Sequence, residues 1–122
     1  MSKADLHIHT HFSDSSLSPK QVVWYAQKAC LSTIGITDHD TIDGIDEAIK
    51  YAKLSGSEEA CLVVVPGVEL SVEIEGVKPR GGLPRGGLPR YDLPHELHIL
   101  GYFIDWKNPW FNEQLEIFRN TR

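Results

Sequence analysis

Along Lys3–His9 the side chains alternate, with Ala4, Leu6 and Ile8 on one side and Asp5, His7 and His9 on the other. A period of two belongs to a β-strand, so the segment predicts a strand with one apolar face and one face of metal-ligand residue types. On such a strand the Cα atoms of His7 and His9 lie roughly 7 Å apart, close enough for both imidazoles to converge on one ion. An ordinary exposed strand face would carry Thr, Lys or Glu. An Asp-x-His-x-His face turned inward is costly unless metal pairs with it.

The rest of the chain switches repeatedly between helical and strand periods. In "SPKQVVWYAQKAC", Ser18 predicts an N-cap, Pro19 fits the first helical position, and Gln21 completes a capping box. Val22, Val23, Ala26, Ala29 and Cys30 form its apolar stripe. "STIGITDHD" is a short strand ending in a polar cluster. "TIDGIDEAIKYAKLSG" returns to helix, with Ile42, Ile45, Ile49 and Ala52 at helical spacing and Gly56 near the stop. "CLVVVPG" predicts a third strand, buried on both faces. This succession indicates an α/β fold with parallel strands and right-handed crossovers. "VELSVEIEG" and "ELHILGYFI" then predict a β-hairpin with a long loop, and a final helix starts near Pro109 with Phe111, Leu115 and Phe118 on one side.

The hairpin loop, residues 76–96, is a Gly/Pro/Arg-rich insert containing the tandem repeat "RGGLPRGGLP". Its prolines and glycines exclude a helix or central strand. It reads as a repeat tolerated in a surface loop, where added length costs little entropy; a basic loop gripping phosphate is the alternative.

Composition bounds what the pattern can mean. With 122 residues, 41% apolar content and a net charge of -5, the chain predicts one globular domain over 1–122. The N-terminus lacks a signal-peptide core, and no run approaches the roughly 18 apolar residues of a membrane span, so a cytoplasmic location is expected. Acids dominate outside the insert, whereas Gly76–Arg90 carries Lys78, Arg80, Arg85 and Arg90 and no acid. An acidic body suits cations better than a nucleic-acid backbone. Cys30 and Cys61 lack a C-x-x-C spacing and are expected as small buried hydrophobes.

Further ligand types fall where parallel β/α folds place their sites, near strand C-termini. His39 closes the second strand in "TDHD", Glu69 follows the third in "PGVEL", and Asp14 lies in the loop after the first. Neighbouring strands are about 4.8 Å apart, so these residues can share a cluster with His7 and His9. Glu69, with two oxygens, is the natural bridge between ions. His11 reads as a turn residue and His95 as a solvated loop side chain.

These segments, "DLHIHTHFSDSSLSP", "GITDHDT", "PGVELS" and "HILGYF", resemble in order the N-terminal motifs of the PHP (polymerase and histidinol phosphatase) superfamily. The resemblance covers the chain apart from the insert. It implies a metal-dependent phosphoesterase built on a distorted seven-stranded β/α barrel, of which this chain would be the N-terminal part. It also implies up to three divalent ions: His7, His9 and Glu69 on the first, Glu69 and His98 on the second, Asp14 and His39 on the third. The family pattern continues with another histidine and a late Asp-x-His pair, whereas no histidine follows Tyr102 here, so the chain is expected to be truncated.

No nucleophile elbow, Walker loop or Cys-His pair is present, so water is the expected nucleophile. Mixed imidazole and carboxylate ligands favour Mn²⁺, Fe²⁺ or Zn²⁺ over Mg²⁺ or Ca²⁺, which prefer oxygen shells; Mn²⁺ is the first expectation, with Fe²⁺, Zn²⁺ or Mg²⁺ as alternatives. The resemblance points to small phosphorylated substrates: nucleoside 3′,5′-bisphosphates or short RNA degraded from 5′ to 3′. Histidinol phosphate, or a truncated fragment that binds metal without catalysis, is the alternative. A barrel this incomplete would be closed by a second polypeptide or by self-association.

Overall fold

The computed structural model describes residues 2–57, 60–73 and 96–121. Its elements run β1 Ala4–Ile8, α1 Pro19–Lys28, β2 Thr33–Ile36, α2 Ile45–Ser55, β3 Val63–Glu73, β4 Glu96–Tyr102 and α3 Pro109–Asn120. The four-stranded sheet is ordered β1-β2-β3-β4. Its first three strands are parallel, and β4 runs antiparallel to β3. This is the expected α/β pattern. The insert expected at 76–96 lies outside the described residues except for Glu96, which begins β4. Among the described residues no helix is long and apolar enough to cross a membrane.

Local chemistry sets the helix ends. Ser18 Oγ accepts from the Gln21 amide at 3.2 Å while Gln21 Oε1 accepts from the Ser18 amide at 2.8 Å, closing the capping box on α1. Asn108 caps α3 by accepting from the Trp110 amide at 2.9 Å. Helix α2 starts at Ile45, later than its periodicity suggests, because Thr41 Oγ1 accepts from the Asp43 amide in a local turn and Gly44 stands at the N-cap. Ile42 still reaches the core, where it packs with Val23, Ile34, Ile36, Ile45 and Ala48.

Three expectations are corrected. Cys30 and Cys61 are exposed rather than buried. Cys30 leaves the apolar stripe because α1 ends before it: Cys30 adopts a left-handed φ of 59°, with Leu31 N–H donating to Ala26 and Cys30 N–H to Gln27. That is a Schellman stop with cysteine in the usual glycine place. The segments "CLVVVPG" and "VELSVEIEG" join into the single strand β3, and Val63 at its start is half exposed. Pro66 falls where β3 changes partners: β2 pairing ends at Ile36↔Pro66, and β4 pairing begins at Gly67↔Tyr102. The proline therefore interrupts little. On β1, Leu6 is half exposed instead of buried, because β1 is an outer strand.

The sheet curls into a half-barrel. In a flat sheet β1 and β4 would stand about 14 Å apart, three strand spacings, whereas a tyrosine reaches roughly 6.5 Å from its Cα. Yet Tyr102 on β4 donates its hydroxyl to the Leu6 carbonyl on β1 at 2.6 Å. A side chain at Gly35 would lie 2.9 Å from that same carbonyl oxygen, so glycine there lets β1 close on β2.

Candidate metal centre

The curl brings all six expected ligand residues together. Strand β1 supplies His7 and, just past its end, His9; the following loop supplies Asp14. His39 lies beyond β2 and forms an isolated parallel bridge with Glu69 of β3. In the β3/β4 ladder Ser71 stands opposite His98 and Glu69 opposite Leu100, which puts Glu69 and His98 on one face.

Glu69 is the centre of the arrangement, with only 3% of its side chain exposed. Its Oε1 meets His7 Nε2 and lies 3.2 Å from His9 Nε2. Its Oε2 lies 3.3 Å from His39 Nδ1 and 2.8 Å from His98 Nδ1. Asp14 occupies the other side of two of these imidazoles, with Oδ1 at 2.5 Å from His9 Nδ1 and Oδ2 at 3.2 Å from His39 Nε2. The rings of His9 and His39 meet edge to face, 4.5 Å between centroids, and His39 meets His98 in the same way at 5.3 Å. Towards solvent the rim is open: Asp14 is 59%, His7 53% and His98 45% exposed.

These contacts shift the titrating groups. The hydrogen bond with His9 lowers the Asp14 carboxyl from its ordinary value. Burial pushes Glu69 upward, but its hydrogen bonds with His7 and His9 and the charge of His39 outweigh burial and leave it lowered. His98 is raised, first by its hydrogen bond with Glu96 at 3.1 Å and then by the charge of Glu69, against an opposing effect of burial.

The donor set fits divalent ions. Three groups could each hold one: His7, His9 and Glu69; His9, Asp14 and His39; His39, Glu69 and His98. Ligands about 2.1 Å from an ion at tetrahedral or octahedral angles stand roughly 3.0 to 3.4 Å from one another. The His9–Glu69, His39–Glu69 and His39–Asp14 separations, 3.2, 3.3 and 3.2 Å, fall in that range. The groups overlap more than expected, since His9 joins Asp14 and His39 joins Glu69 and His98. An imidazole bound to an ion through one nitrogen keeps the other as an N–H donor. Thus His9 can present Nε2 to an ion beside Glu69 while its Nδ1–H donates to Asp14.

His11 stays outside the cluster, exposed and packed edge to face on Phe12 at 4.5 Å, and His95 lies outside the described residues. The sequence reading missed a supporting set. Asp38 accepts from the Thr10 amide, the Thr10 hydroxyl and the Ser13 hydroxyl, each at 2.6 Å. Asp40 Oδ1 accepts from the Ser71 amide at 2.9 Å, and Glu96 reaches His98. The "TDHD" motif displayed both aspartates, but no spacing rule pairs them with Thr10 or Ser71.

Residues 5–112 match the family model of the PHP domain. The chain is 35% identical over 105 residues to the 5′-3′ exoribonuclease Rnm of Salmonella typhimurium, covering 86% of this chain and 29% of that protein. It is 29% identical over 122 residues to the 3′,5′-nucleoside bisphosphate phosphatase of Chromobacterium violaceum, covering 100% of this chain and 35% of that one. Among solved structures, an amidohydrolase from Chromobacterium violaceum with bound sulfate and no metal superposes with a TM-score of 0.72 at 28% identity, over 99% of this chain and 34% of that one. The chain thus spans about a third of the length of the relatives it matches.

Proposed function

The chain belongs to the PHP-domain family, and from that premise we propose that it forms part of a metal-dependent phosphoesterase whose ions are held by His7, His9, Asp14, His39, Glu69 and His98. The observation that carries this reading is Glu69, a buried carboxylate with its two oxygens turned to four imidazoles. Bound divalent ions supply Lewis acidity to phosphate oxygens and bring the pKa of a water towards neutrality.

The chain's own groups do the rest. Glu69 offers one oxygen to the His7 and His9 side and the other to the His39 and His98 side, so it would share in holding an ion on either side. Asp14 orients His9 through Nδ1 and shares the Nε2 side of His39. The exposed rim formed by His7, His98 and Asp14 leaves access for an anionic substrate. Imidazole and carboxylate donors together favour Mn²⁺, Fe²⁺ or Zn²⁺ over the oxygen-preferring Mg²⁺ and Ca²⁺, and Mn²⁺ is the first expectation. The named relatives favour nucleoside 3′,5′-bisphosphates or short RNA as substrate class.

The same open rim favours a second reading for the 122-residue chain by itself: it binds ions but turns over slowly, because water at the rim screens the charges that would stabilise a transition state. Metal analysis of purified protein, with assays on adenosine 3′,5′-bisphosphate, short 5′-phosphorylated RNA and histidinol phosphate, tests both. Bound Mn²⁺ with hydrolysis of the first two supports the enzyme, and bound Mn²⁺ without hydrolysis supports the second reading. Protein that binds no divalent ion overturns both.

A further inference from the structure

His39 is flanked in sequence by two carboxylates, Asp38 and Asp40, each 1% exposed. A buried carboxylate is costly unless its oxygens are met by donors. Both aspartates find donors on segments that carry other members of the cluster. The partners of Asp38 are the Thr10 amide, the Thr10 hydroxyl and the Ser13 hydroxyl, all in the loop between His9 and Asp14. Asp40 accepts from the Ser71 amide, two residues beyond Glu69 and directly opposite His98. Its own amide donates to the Glu69 carbonyl at 3.0 Å, and Arg119 of α3 donates to its carbonyl at 2.7 Å. Asp40 also has a left-handed φ of 55°, a backbone state that needs support.

We propose that Asp38 and Asp40 are positioning residues for different parts of the cluster: Asp38 sets Asp14 against His9 and His39, and Asp40 sets Glu69 and His98 against His39. Asp14 needs such a device because its side chain is largely in solvent at the end of a turn. Its loop is held near His9 by the three short hydrogen bonds to Asp38. Glu69 is already buried on a strand, so the task of Asp40 is registration: it bonds to β3 on the far side of Glu69 and fixes that strand against the His39 segment. His39 reads the result through both nitrogens, 3.2 Å from Asp14 and 3.3 Å from Glu69.

The inference rests on the metal-ion reading, and Mn²⁺ titration of the full chain followed by electron paramagnetic resonance tests it. Asp38→Ala and Ser13→Ala should weaken the ion that Asp14→Ala abolishes, on the order of tenfold to a hundredfold for Asp38→Ala. The ion lost in His7→Ala should weaken less, because it feels Asp14 only through the Nδ1 side of His9. Adding Asp38→Ala to Asp14→Ala should cause no further loss, which a general effect on folding would not produce. Asp38→Asn, which keeps an oxygen for the Thr10 amide, should recover part of the affinity. Asp40→Gly tolerates the left-handed backbone and should weaken the ion lost in His98→Ala. Equal weakening of every ion, additive with Asp14→Ala, overturns the proposal; where Asp38→Ala does not fold, Ser13→Ala carries the comparison. If the wild type binds no Mn²⁺, the metal reading fails. Metal-free crystal structures of Ser13→Ala and Asp40→Gly then decide positioning: Asp14 still at His9 and Glu69 still at His39 would overturn it, and their separation would sustain it.

Discussion

The Tyr102 hydroxyl lies 2.6 Å from the Leu6 carbonyl oxygen and so joins the two outermost strands of the sheet. Because His7 follows Leu6 and His98 shares β4 with Tyr102, this bond helps hold opposite sides of the ligand cluster at a working distance. Tyr102→Phe should lower stability by about 0.5 to 1.5 kcal/mol, the net worth of one hydrogen bond. It should also weaken Mn²⁺ binding. Urea denaturation and calorimetric titration measure the two effects; an unchanged midpoint and affinity would show that the curl does not depend on this contact.

Glu69 should be the most sensitive position for metal. Glu69→Gln keeps the volume but removes the charge facing four imidazoles, so the two ions in whose groups Glu69 takes part should weaken by more than the roughly tenfold to hundredfold typical of an outer partner. His9→Ala should weaken the ions on both sides of its ring. His11→Ala, outside the cluster, should titrate like the wild type. Calorimetry with Mn²⁺ distinguishes these outcomes, and equal affinity in wild type and His9→Ala would remove the site from consideration.

Metal binding should fall as pH drops. Glu96 raises the pKa of His98, so the ring keeps its proton to higher pH than an ordinary imidazole, and an ion must displace that proton. Affinity at the His98 ion should therefore decline as pH falls through the raised value and level off above it. Glu96→Gln removes the leading cause, which should move the decline to lower pH. Titrations over the imidazole range in both proteins check the direction, and a shift to higher pH would refute it.

Deleting residues 79–90 should leave Mn²⁺ stoichiometry intact, because the six proposed ligand residues all lie outside that segment. Lost stoichiometry would mean that the insert supports the hairpin or supplies ligands. A rise in KM with kcat retained would instead assign Arg80, Arg85 and Arg90 to phosphate binding.

The parts of this site differ in how readily the sequence disclosed them. His7 and His9 were legible from alternation alone, and His39, Glu69 and Asp14 from their places after strands. His98 was identified only through family resemblance, because the long insert hides its pairing with Ser71. Asp38 and Asp40 escaped because their partners lie about thirty residues away in the chain, beyond any local period. Cys30 was misplaced for a local reason: apolar spacing continued past the point where the left-handed turn had already ended α1. The fusion at Pro66 was hidden because the residue usually breaks strands, and only a change of partners at that point makes it tolerable.

The handover of β3 from β2 to β4 at Pro66 also has a consequence for synthesis. Residues 63–66 pair with β2, which is made earlier, and residues 67–73 pair with β4, which is made later, with the Glu69 bridge to His39 as the remaining link back to earlier chain. His7, His9, Asp14 and His39 all precede Glu69, so every residue of the first two candidate ion groups exists before β4 leaves the ribosome. Translation at about 5 to 20 residues per second gives a nascent chain one to several seconds between Glu69 and His98. On the proposed ligand assignment the residues of the first two ion groups are thus made before His98, and early occupancy at Glu69 would give the arriving strand a preformed charge to dock against.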